Sequence, residues 1–418
     1  MRVSGSLLLV CALVILGACE ARVRGSLPPV PVPEENPVTE PKRLLGKILF
    51  WDEQLSSNDT VACGTCHRPA SGGADPRAAV NPGPLPGTID DVVGSPGIVR
   101  LDDAGRPVED PVFGFGVQVS ARASPSNFGA LWASEVFWDG RAGPAFVDPQ
   151  TGRILIRSGG ALEAQALDSL SNPAEMAKTG RRWDELTDKL KHARPLALAS
   201  ALPPDIREGL VRHPGYPALF EAAFGSGGIT PARIAFAIAC YERTLVADQA
   251  PWDLYRAGDE KAMTVQQLAG WKNFQDLHCV ACHVPPLFTD NGFFNIGLRD
   301  AAYDPGRGAI THAKADAGDV KVPSLRNVGL RPRLMHTGED ATLTSALRFY
   351  IDTAPFEGRD DIPGIGPYTF SFDLITQESL RAFLAAALTD PRVAAERYPF
   401  DRPRLASEAE AQQGPELQ

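Results

Sequence analysis

The chain carries the pattern Cys-x-x-Cys-His twice, as Cys63-Gly64-Thr65-Cys66-His67 and as Cys279-Val280-Ala281-Cys282-His283. This pattern attaches c-type haem, in which two thiols bond covalently to one porphyrin and the histidine supplies an imidazole to the iron. A structural zinc site also uses cysteine pairs, but such pairs lie much closer together along the chain. We therefore predict two covalently bound haem c groups, held by two sets of residues: Cys63, Cys66 and His67, and Cys279, Cys282 and His283.

A weaker repeat surrounds the two motifs. Gly46 and Phe50 precede the first motif, and Gly270 and Phe274, with the same spacing, precede the second. This echo, added to the repeated haem motifs, predicts two cytochrome-c-like domains. Cys240 lies in an apolar helical stretch and is expected to be inert packing, so no disulfide is expected.

The predicted division of the chain has five parts. A signal peptide covers residues 1–18, a proline-rich linker 19–42, an N-terminal domain 43–228, a C-terminal domain 229–395 and a tail 396–418. A chain of 418 residues has room for two or three domains of about 150 residues each.

The first residues predict export. An apolar run over Leu7–Leu16 follows Arg2 and is too short for a membrane span. Leu16-Gly17-Ala18-Cys19 matches the lipobox of bacterial lipoproteins, in which the cysteine is lipidated. We expect a periplasmic protein anchored by a lipid on Cys19 to a membrane, for which we expect the outer membrane. A plain secretory signal cleaved nearby is the alternative.

Helical spacing predicts most of the secondary structure. Leu44, Leu45, Ile48 and Leu49 follow that spacing, and three threonines can cap later helices: Thr230, Thr264 and Thr376. Strand signals are few and short. The Gly- and Pro-rich region 68–124 is long for a loop, and loops of such length often cover binding sites. The predicted fold class is mainly α, with two cytochrome-c-like haem domains, long loops and few short strands.

Composition excludes one class of partner. Hydrophobic residues make up 44% of the chain and charged residues 22%, which is typical of a folded protein. The formal net charge of −10 argues against binding to a nucleic-acid backbone. We therefore expect no nucleic-acid partner.

The group opposite each proximal histidine decides between electron transfer and reaction with a small molecule. No histidine or methionine occurs between Arg68 and Glu175. We therefore expect the first haem to lack a strong local second ligand and to bind a small molecule such as peroxide. A distant histidine that folds over this haem is the alternative.

Several further motifs resemble the bacterial dihaem cytochrome c peroxidase and MauG superfamily, over roughly residues 43–395. They are Phe137-Trp138-Asp139-Gly140-Arg141-Ala142, Gln165, Asn172-Pro173-Ala174-Glu175-Met176, Tyr241-Glu242-Arg243-Thr244-Leu245, Pro323-Ser324-Leu325-Arg326-Asn327-Val328 and His336-Thr337-Gly338. The resemblance implies that Trp138 lies between the haems, that Glu175 lies above the peroxide-binding haem, and that Gln165 is the distal glutamine.

Glu175 also has a chemical rationale. Cleavage of the O–O bond needs a group that takes a proton from one peroxide oxygen and delivers it to the other, which is general acid–base catalysis. A solvated loop carboxylate is the ordinary alternative for Glu175, and a buried core aromatic is the ordinary alternative for Trp138.

The ligand of the second haem separates two branches of the superfamily. Fourteen residues after His336, where the resemblance places a methionine in classical peroxidases, this chain has Tyr350, as MauG-like enzymes do. Asp340 can cap the intervening helix, and helical spacing puts Leu343, Leu347 and Tyr350 on one face. We expect Tyr350 as the second-haem ligand, with Met335 as the competing ligand.

The chain departs from the family pattern in several places. An insertion lies around residues 146–160, and Ser169 replaces a distal proline. Ala123 takes the place of the family's calcium-binding asparagine, which puts an inter-haem calcium in doubt. Arg331 and Arg333 occupy positions whose backbone carbonyls normally help to bind that calcium.

The resemblance implies an oxidoreductase. We expect a dihaem peroxidase that reduces hydrogen peroxide, through a high-valent dihaem intermediate, with electrons from a small c-type cytochrome or copper protein. A MauG-like enzyme that oxidises Trp or Tyr of a partner protein is the first alternative. A dihaem electron carrier without turnover is the second. The sequence leaves open whether a homodimer forms.

Overall fold

The computed structural model describes residues 27–225, 228–351 and 373–408. The predicted signal peptide, the lipidation site at Cys19 and the end of the predicted tail lie outside the described residues. Helices dominate these ranges, in which the strands form four two-stranded antiparallel sheets. The predicted mainly α fold class is therefore confirmed.

The elements are numbered in chain order. The helices are α1 Glu40–Phe50, α2 Cys63–Cys66, α3 Ala161–Ser171, α4 Trp183–His192, α5 Pro204–Arg212, α6 Tyr216–Phe224, α7 Pro231–Glu242, α8 Pro251–Arg256, α9 Val265–Asp276, α10 Gly308–Thr311, α11 Leu343–Ile351, α12 Leu374–Ala382 and α13 Pro391–Ala394. The strands are β1 Ala79–Asn81, β2 Val92–Gly94, β3 Pro96–Val99, β4 Val117–Val119, β5 Phe146–Val147, β6 Ile154–Ile156, β7 Phe293–Phe294 and β8 Val320–Lys321. The strands form four separate pairs, β1–β2, β3–β4, β5–β6 and β7–β8.

The first hydrophobic core lies between α1 and α7. The rings of Phe50 and Tyr241 meet edge to face at 5.3 Å within it. Because α7 belongs to this core, the predicted domain boundary between residues 228 and 229 does not follow the packing. Phe400 and Leu405 are buried in the same core, so the described part of the predicted tail returns to the first domain.

The second hydrophobic core lies between α9, α12 and the π-helical turn Phe383–Ala387 that continues α12. The rings of Phe274, Phe288 and Phe383 meet with centroid distances of 5.5 to 6.1 Å. Cys279 packs against this cluster. Each haem motif therefore follows a helix that is anchored in its own core.

Two of the predicted helix starts are confirmed and two are shifted. The hydroxyl groups of Thr230 and Thr264 cap α7 and α9. Asp373, not Thr376, caps α12. Asp340 does not cap α11, because the Thr342 hydroxyl accepts the Ser345 N–H instead, at 3.0 Å.

The predicted linker 19–42 is packed where it is described near its end. Asn36 is fully buried, and its amide donates to Glu163 Oε1 at 2.8 Å. Helix α1 begins at Glu40 behind the Thr39 cap. This part of the stretch therefore packs against α3 and is not a free spacer.

The two irregular regions have defined structure. Region 68–124 contains the sheets β1–β2 and β3–β4, and the insertion at 146–160 is the β5–β6 hairpin. Within that hairpin, the side chains of Phe146 and Ile156 are buried, whereas those of Val147 and Ile154 are exposed.

Candidate active site

The two motif histidines are held in the same way. His67 Nδ1 lies 3.0 Å from the Gly73 carbonyl oxygen, and His283 Nδ1 lies 3.1 Å from the Phe288 carbonyl oxygen. A carbonyl can only accept, so each Nδ1 carries the hydrogen and each Nε2 keeps its lone pair. Such a backbone hydrogen bond is the usual way in which a metal-binding histidine is oriented. The four motif cysteines are free thiols, available for bonds to porphyrin.

A cavity of about 660 Å³ adjoins the first motif. Its lining includes Cys66, His67, Trp138, Gln165 and Glu175. Residues of segments 90–95 and 120–126 also line it, so part of the long region 68–124 lies over this cavity. Among the described residues that line this cavity, His67 is the single histidine and there is no methionine.

A second, smaller cavity of about 190 Å³ adjoins the second motif. Leu343, Leu347 and Tyr350 line it together, so the predicted inward face of α11 is confirmed. Met335 and His336 line the same cavity. The structure thus brings both candidate ligands, Tyr350 and Met335, to the second site.

The two cavities share a wall, which consists of Trp138, Lys321, Pro323 and Arg331. Trp138 is 6% exposed, and its indole N–H donates to the Ala123 carbonyl at 2.8 Å. Its ring centroid lies 6.0 Å from that of His336. Trp138 therefore lies between the two sites.

Glu175 is fixed by its neighbours on the first cavity. The Asn172 amide donates to Glu175 Oε1 at 2.8 Å, and the Ser169 hydroxyl donates to the same carboxylate. Gln165 reaches Glu175 indirectly, because its Nε2 donates to Ser169 Oγ at 2.9 Å. Burial raises the pKa of Glu175, and the hydrogen bonds from Ser169 and Asn172 oppose that rise. Glu175 is not a solvated loop carboxylate.

A buried ion-pair network lies beside Trp138. The Arg122 guanidinium contacts Asp139 Oδ2 and Asp304 Oδ1, each at 2.6 Å. Ala123 offers a methyl group where the resemblance would place a calcium ligand. Within the described ranges, no group of three or more His, Cys, Asp or Glu side chains is arranged to hold a metal ion.

The polar groups of the first cavity fit haem. Arg331 has no acidic partner within the described ranges, its Nε has no acceptor, and burial lowers its pKa to about 10. Arg299 Nε and Nη1 also have no acceptor among the described residues. Both guanidinium groups line the first cavity, where carboxylates such as haem propionates would pair with them.

The sequence did not identify Ser169 and Arg122 as residues of the site. Ser169 stood out only as a departure from a family pattern, and nothing in the sequence connects its hydroxyl to Gln165 and Glu175. Arg122 lies far from Asp304 along the chain, so their contact depends on the fold.

Comparisons with known proteins agree with this geometry. The sequence model of the family described as Di-haem cytochrome c peroxidase matches residues 40–261. The methylamine utilization protein MauG of Methylorubrum extorquens is 30% identical over 382 residues, covering 90% of this chain and 86% of MauG. Cytochrome c551 peroxidase of Pseudomonas aeruginosa is 30% identical over 358 residues, covering 82% of this chain and 83% of that enzyme.

Solved structures show the same fold. A MauG-like protein associated with microbial copper homeostasis aligns with a TM-score of 0.61 and 24% identity, covering 90% of this chain and 96% of that one. The diheme peroxidase BthA of Burkholderia thailandensis aligns with a TM-score of 0.55 and 20% identity, covering 88% and 91%. The alignments with both sequence relatives and both solved structures cover most of this chain. The chain therefore belongs to the di-haem cytochrome c peroxidase family, which includes proteins named MauG, and it is a dihaem oxidoreductase.

Proposed function

We propose that this protein reduces hydrogen peroxide at a haem c held by Cys63, Cys66 and His67, with electrons from a small c-type cytochrome or copper protein. The contrast between the two cavities carries the proposal. The first has no histidine or methionine besides His67 among its described lining residues, whereas the second has Met335, His336 and Tyr350. A haem iron at the first cavity would be open to a small molecule, and one at the second cavity would have protein ligands available.

A bound haem supplies the iron at which peroxide is reduced, and the protein supplies the proton chemistry. In its charged form Glu175 takes the proton from the peroxide oxygen nearer the iron and returns it to the outer oxygen, which leaves as water. Ser169 and Asn172 hold the carboxylate in place. The overall change is H₂O₂ + 2e⁻ + 2H⁺ → 2H₂O.

The second haem c would be held by Cys279, Cys282 and His283, and Tyr350, which lines the same cavity, would be a further ligand for its iron. A phenolate is a hard anionic donor and stabilises oxidised iron, whereas a thioether raises the potential. Trp138 on the shared wall provides the connection through which oxidising equivalents pass between the two sites.

A MauG-like oxidation of Trp or Tyr side chains in a partner protein is the second candidate function. The position of Tyr350 at the second cavity favours it, as does the similarity to a protein named MauG over 90% of this chain. A dihaem electron carrier without turnover is a third candidate, and the open first cavity argues against it.

The test of function combines optical and EPR spectra with rapid mixing of peroxide. We expect a high-spin ferric signal from the His67 haem and a fast reaction with one equivalent of peroxide. Steady consumption of peroxide with a reduced small redox protein supports the peroxidase, and modification of a partner protein without such consumption supports the MauG-like reading. Two six-coordinate irons and no reaction with peroxide would identify the protein as an electron carrier.

Substitution of Glu175 by Gln tests the acid–base role. The amide keeps the shape of the side chain but cannot accept the proton, so we expect the peroxide reaction to slow by about 100-fold or more. The matched control is Glu208→Gln, which changes an exposed glutamate on α5. An unchanged rate in Glu175→Gln would remove Glu175 from the mechanism.

We also propose that the protein is exported to the periplasm and anchored through a lipid on Cys19. The lipobox supports this location. No helix within the described ranges has the length and apolarity to cross a bilayer. Cys19→Ser should release the protein from the membrane fraction, and retention there would argue against the anchor.

A further inference from the structure

Glu242 is a buried carboxyl group on the first cavity that the proposed mechanism does not use. It is the last residue of α7, lines the cavity and is 3% exposed. Its Oε2 atom has no hydrogen-bond partner within the described ranges. A buried carboxyl oxygen without a partner is unusual, because such a group normally finds a donor.

The cation nearest to Glu242 is already committed. Arg243 Nη1 and Nη2 bind the two carboxylate oxygens of Glu163 at 2.7 and 2.9 Å, in a pair whose side chains are 2% and 0% exposed. The positive charge of Arg243 lowers the pKa of Glu242 and so favours its charged form, whereas the negative charge of Glu163 on α3 raises that pKa. Burial is the largest effect and raises the pKa of Glu242 to about 8. Near neutral pH this side chain is therefore a carboxylic acid.

The other ionisable groups around α7 have their own partners. The three basic side chains of α1 all have partners: Lys42 contacts Asn36, Arg43 contacts Glu40 and Asp205, and Lys47 contacts Asp205 and Asp401. Tyr241 accepts the Trp51 indole N–H, and Tyr216 of α6 donates to Asp52. None of these side chains offers Glu242 a counter-ion.

Glu242 and Glu175 both line the first cavity and both lie near the same haem-attachment cysteine. The charges of both carboxyl groups raise the pKa of the Cys63 thiol, which places both near the first haem-attachment cysteine. The two acids differ in their surroundings. Glu175 is held by Ser169 and Asn172, whereas Glu242 Oε2 is buried without a hydrogen-bond partner among the described residues.

Peroxide reduction creates a need for such an acid. Glu175 returns the proton that it takes, so its shuttle supplies no net proton. The reaction consumes two protons, and both must enter a buried cavity. We propose that Glu242 is the proton donor of the first cavity and supplies one of these two protons in each turnover.

This inference rests on the proposed peroxidase function. In the balanced step, the Glu242 O–H bond breaks and its proton joins a peroxide-derived oxygen to form water. The two electrons come from the small redox protein. The second proton and the later reprotonation of the Glu242 carboxylate come from solvent.

Infrared difference spectroscopy of the holoenzyme tests the protonation state without peroxide. We expect a protonated-carboxyl C=O band that shifts in D₂O, is lost as the pH rises through about 8, and is missing in Glu242→Gln. The same band in Glu242→Gln, or its absence from the wild type at pH 7, would overturn the inference.

Turnover tests the donor role. Glu242→Gln should slow steady-state peroxide reduction by about tenfold or more and increase the solvent deuterium isotope effect, because proton entry becomes limiting. Glu242→Asp retains an acid and should recover most of the rate, and the exposed control Glu208→Gln should match the wild type. A Glu242→Gln enzyme with unchanged turnover and isotope effect overturns this inference while the peroxidase function stands. A wild-type enzyme that does not consume peroxide overturns the proposed function itself.

Discussion

At the scale of single residues, the hydrogen bonds around Glu175 determine both its orientation and its affinity for a proton. Burial favours the neutral carboxylic acid, whereas donors such as Ser169 and Asn172 favour the carboxylate. A proton acceptor needs its charged form when peroxide arrives. The departure at Ser169 is therefore a working part of this site, since its hydroxyl also links Gln165 to Glu175.

Ser169→Ala should weaken the site through this hydrogen bond. Without the hydroxyl, the pKa of Glu175 rises further, so a higher pH is needed to produce the carboxylate. A hydrogen bond to a charged group contributes about 1.5–3 kcal/mol, and we expect the peroxide reaction near neutral pH to slow on the order of tenfold. The measurement is the pH dependence of the peroxide reaction rate by rapid mixing, and its rising limb should move to higher pH.

Ser171→Ala is the matched control for that substitution. Ser171 lies on the same helix, but its hydroxyl bonds to the Leu167 carbonyl at 3.0 Å and does not reach Glu175. Its pH profile should follow the wild type. The role assigned to Ser169 would be refuted if the two alanine variants gave the same profile.

At the scale of elements, the Gly and Phe echo before each haem motif has a common packing cause. A Cβ atom on Gly46 would lie 1.9 Å from the Ala237 carbonyl oxygen of α7. A Cβ atom on Gly270 would lie 2.0 Å from the Ser379 carbonyl oxygen of α12. Each glycine thus allows the helix before a haem motif to touch the backbone of its partner helix, α1 against α7 and α9 against α12.

Gly46→Ala and Gly270→Ala should each force these helices apart. Overpacking of this kind costs about 1–3 kcal/mol in the free energy of unfolding. Gly143→Ala is the control, because its added Cβ would meet no atom within 4 Å. Denaturant unfolding of the holoprotein measures the difference, and equal stability of all three variants would contradict the packing argument.

The helices also show which features a sequence can reveal. Local signals located α7 and α9 correctly, because Thr230 and Thr264 cap helices through atoms a few residues away. The α12 cap was missed because Asp373 and Thr376 are both acceptable caps, and the choice depends on packing. The membership of α7 in the first core was missed for a similar reason, since α1 and α7 are far apart in sequence.

In the candidate site, too, the sequence revealed local motifs but not the contacts between distant segments. The motifs predicted site residues that the structure brings to one cavity, including His67, Trp138 and Glu175. They did not identify Glu242 as an unpaired acid, because that property depends on Arg243 being occupied by Glu163. Contacts between distant segments, and the burial that they cause, have no signature in a single sequence.

At the scale of the whole molecule, two cores bring two cavities to a single wall. The first cavity lies beside the α1–α7 core, and the second cavity lies beside the α9–α12 core. Trp138 is fixed at that wall by the hydrogen bond from its indole N–H to the Ala123 carbonyl. β8 borders the same wall, since the Lys321 N–H donates to the Trp138 carbonyl at 2.8 Å. Under the proposed function, electron exchange between the sites would therefore depend on a contact between the two halves of the chain.

Trp138→Phe tests this dependence on the wall. Phenylalanine has a smaller π-system and no N–H, so the ring is a poorer electron relay and loses its bond to Ala123. After one equivalent of peroxide, both haem spectra should change together in the wild type, whereas in Trp138→Phe the change at the His283 haem should lag behind. Trp132→Phe is the control, because Trp132 also donates to a backbone carbonyl, that of Pro28, but lines neither cavity. Stopped-flow spectra with freeze-quench EPR resolve the two centres, and a simultaneous change in Trp138→Phe would mean that the equivalents cross the wall by another route.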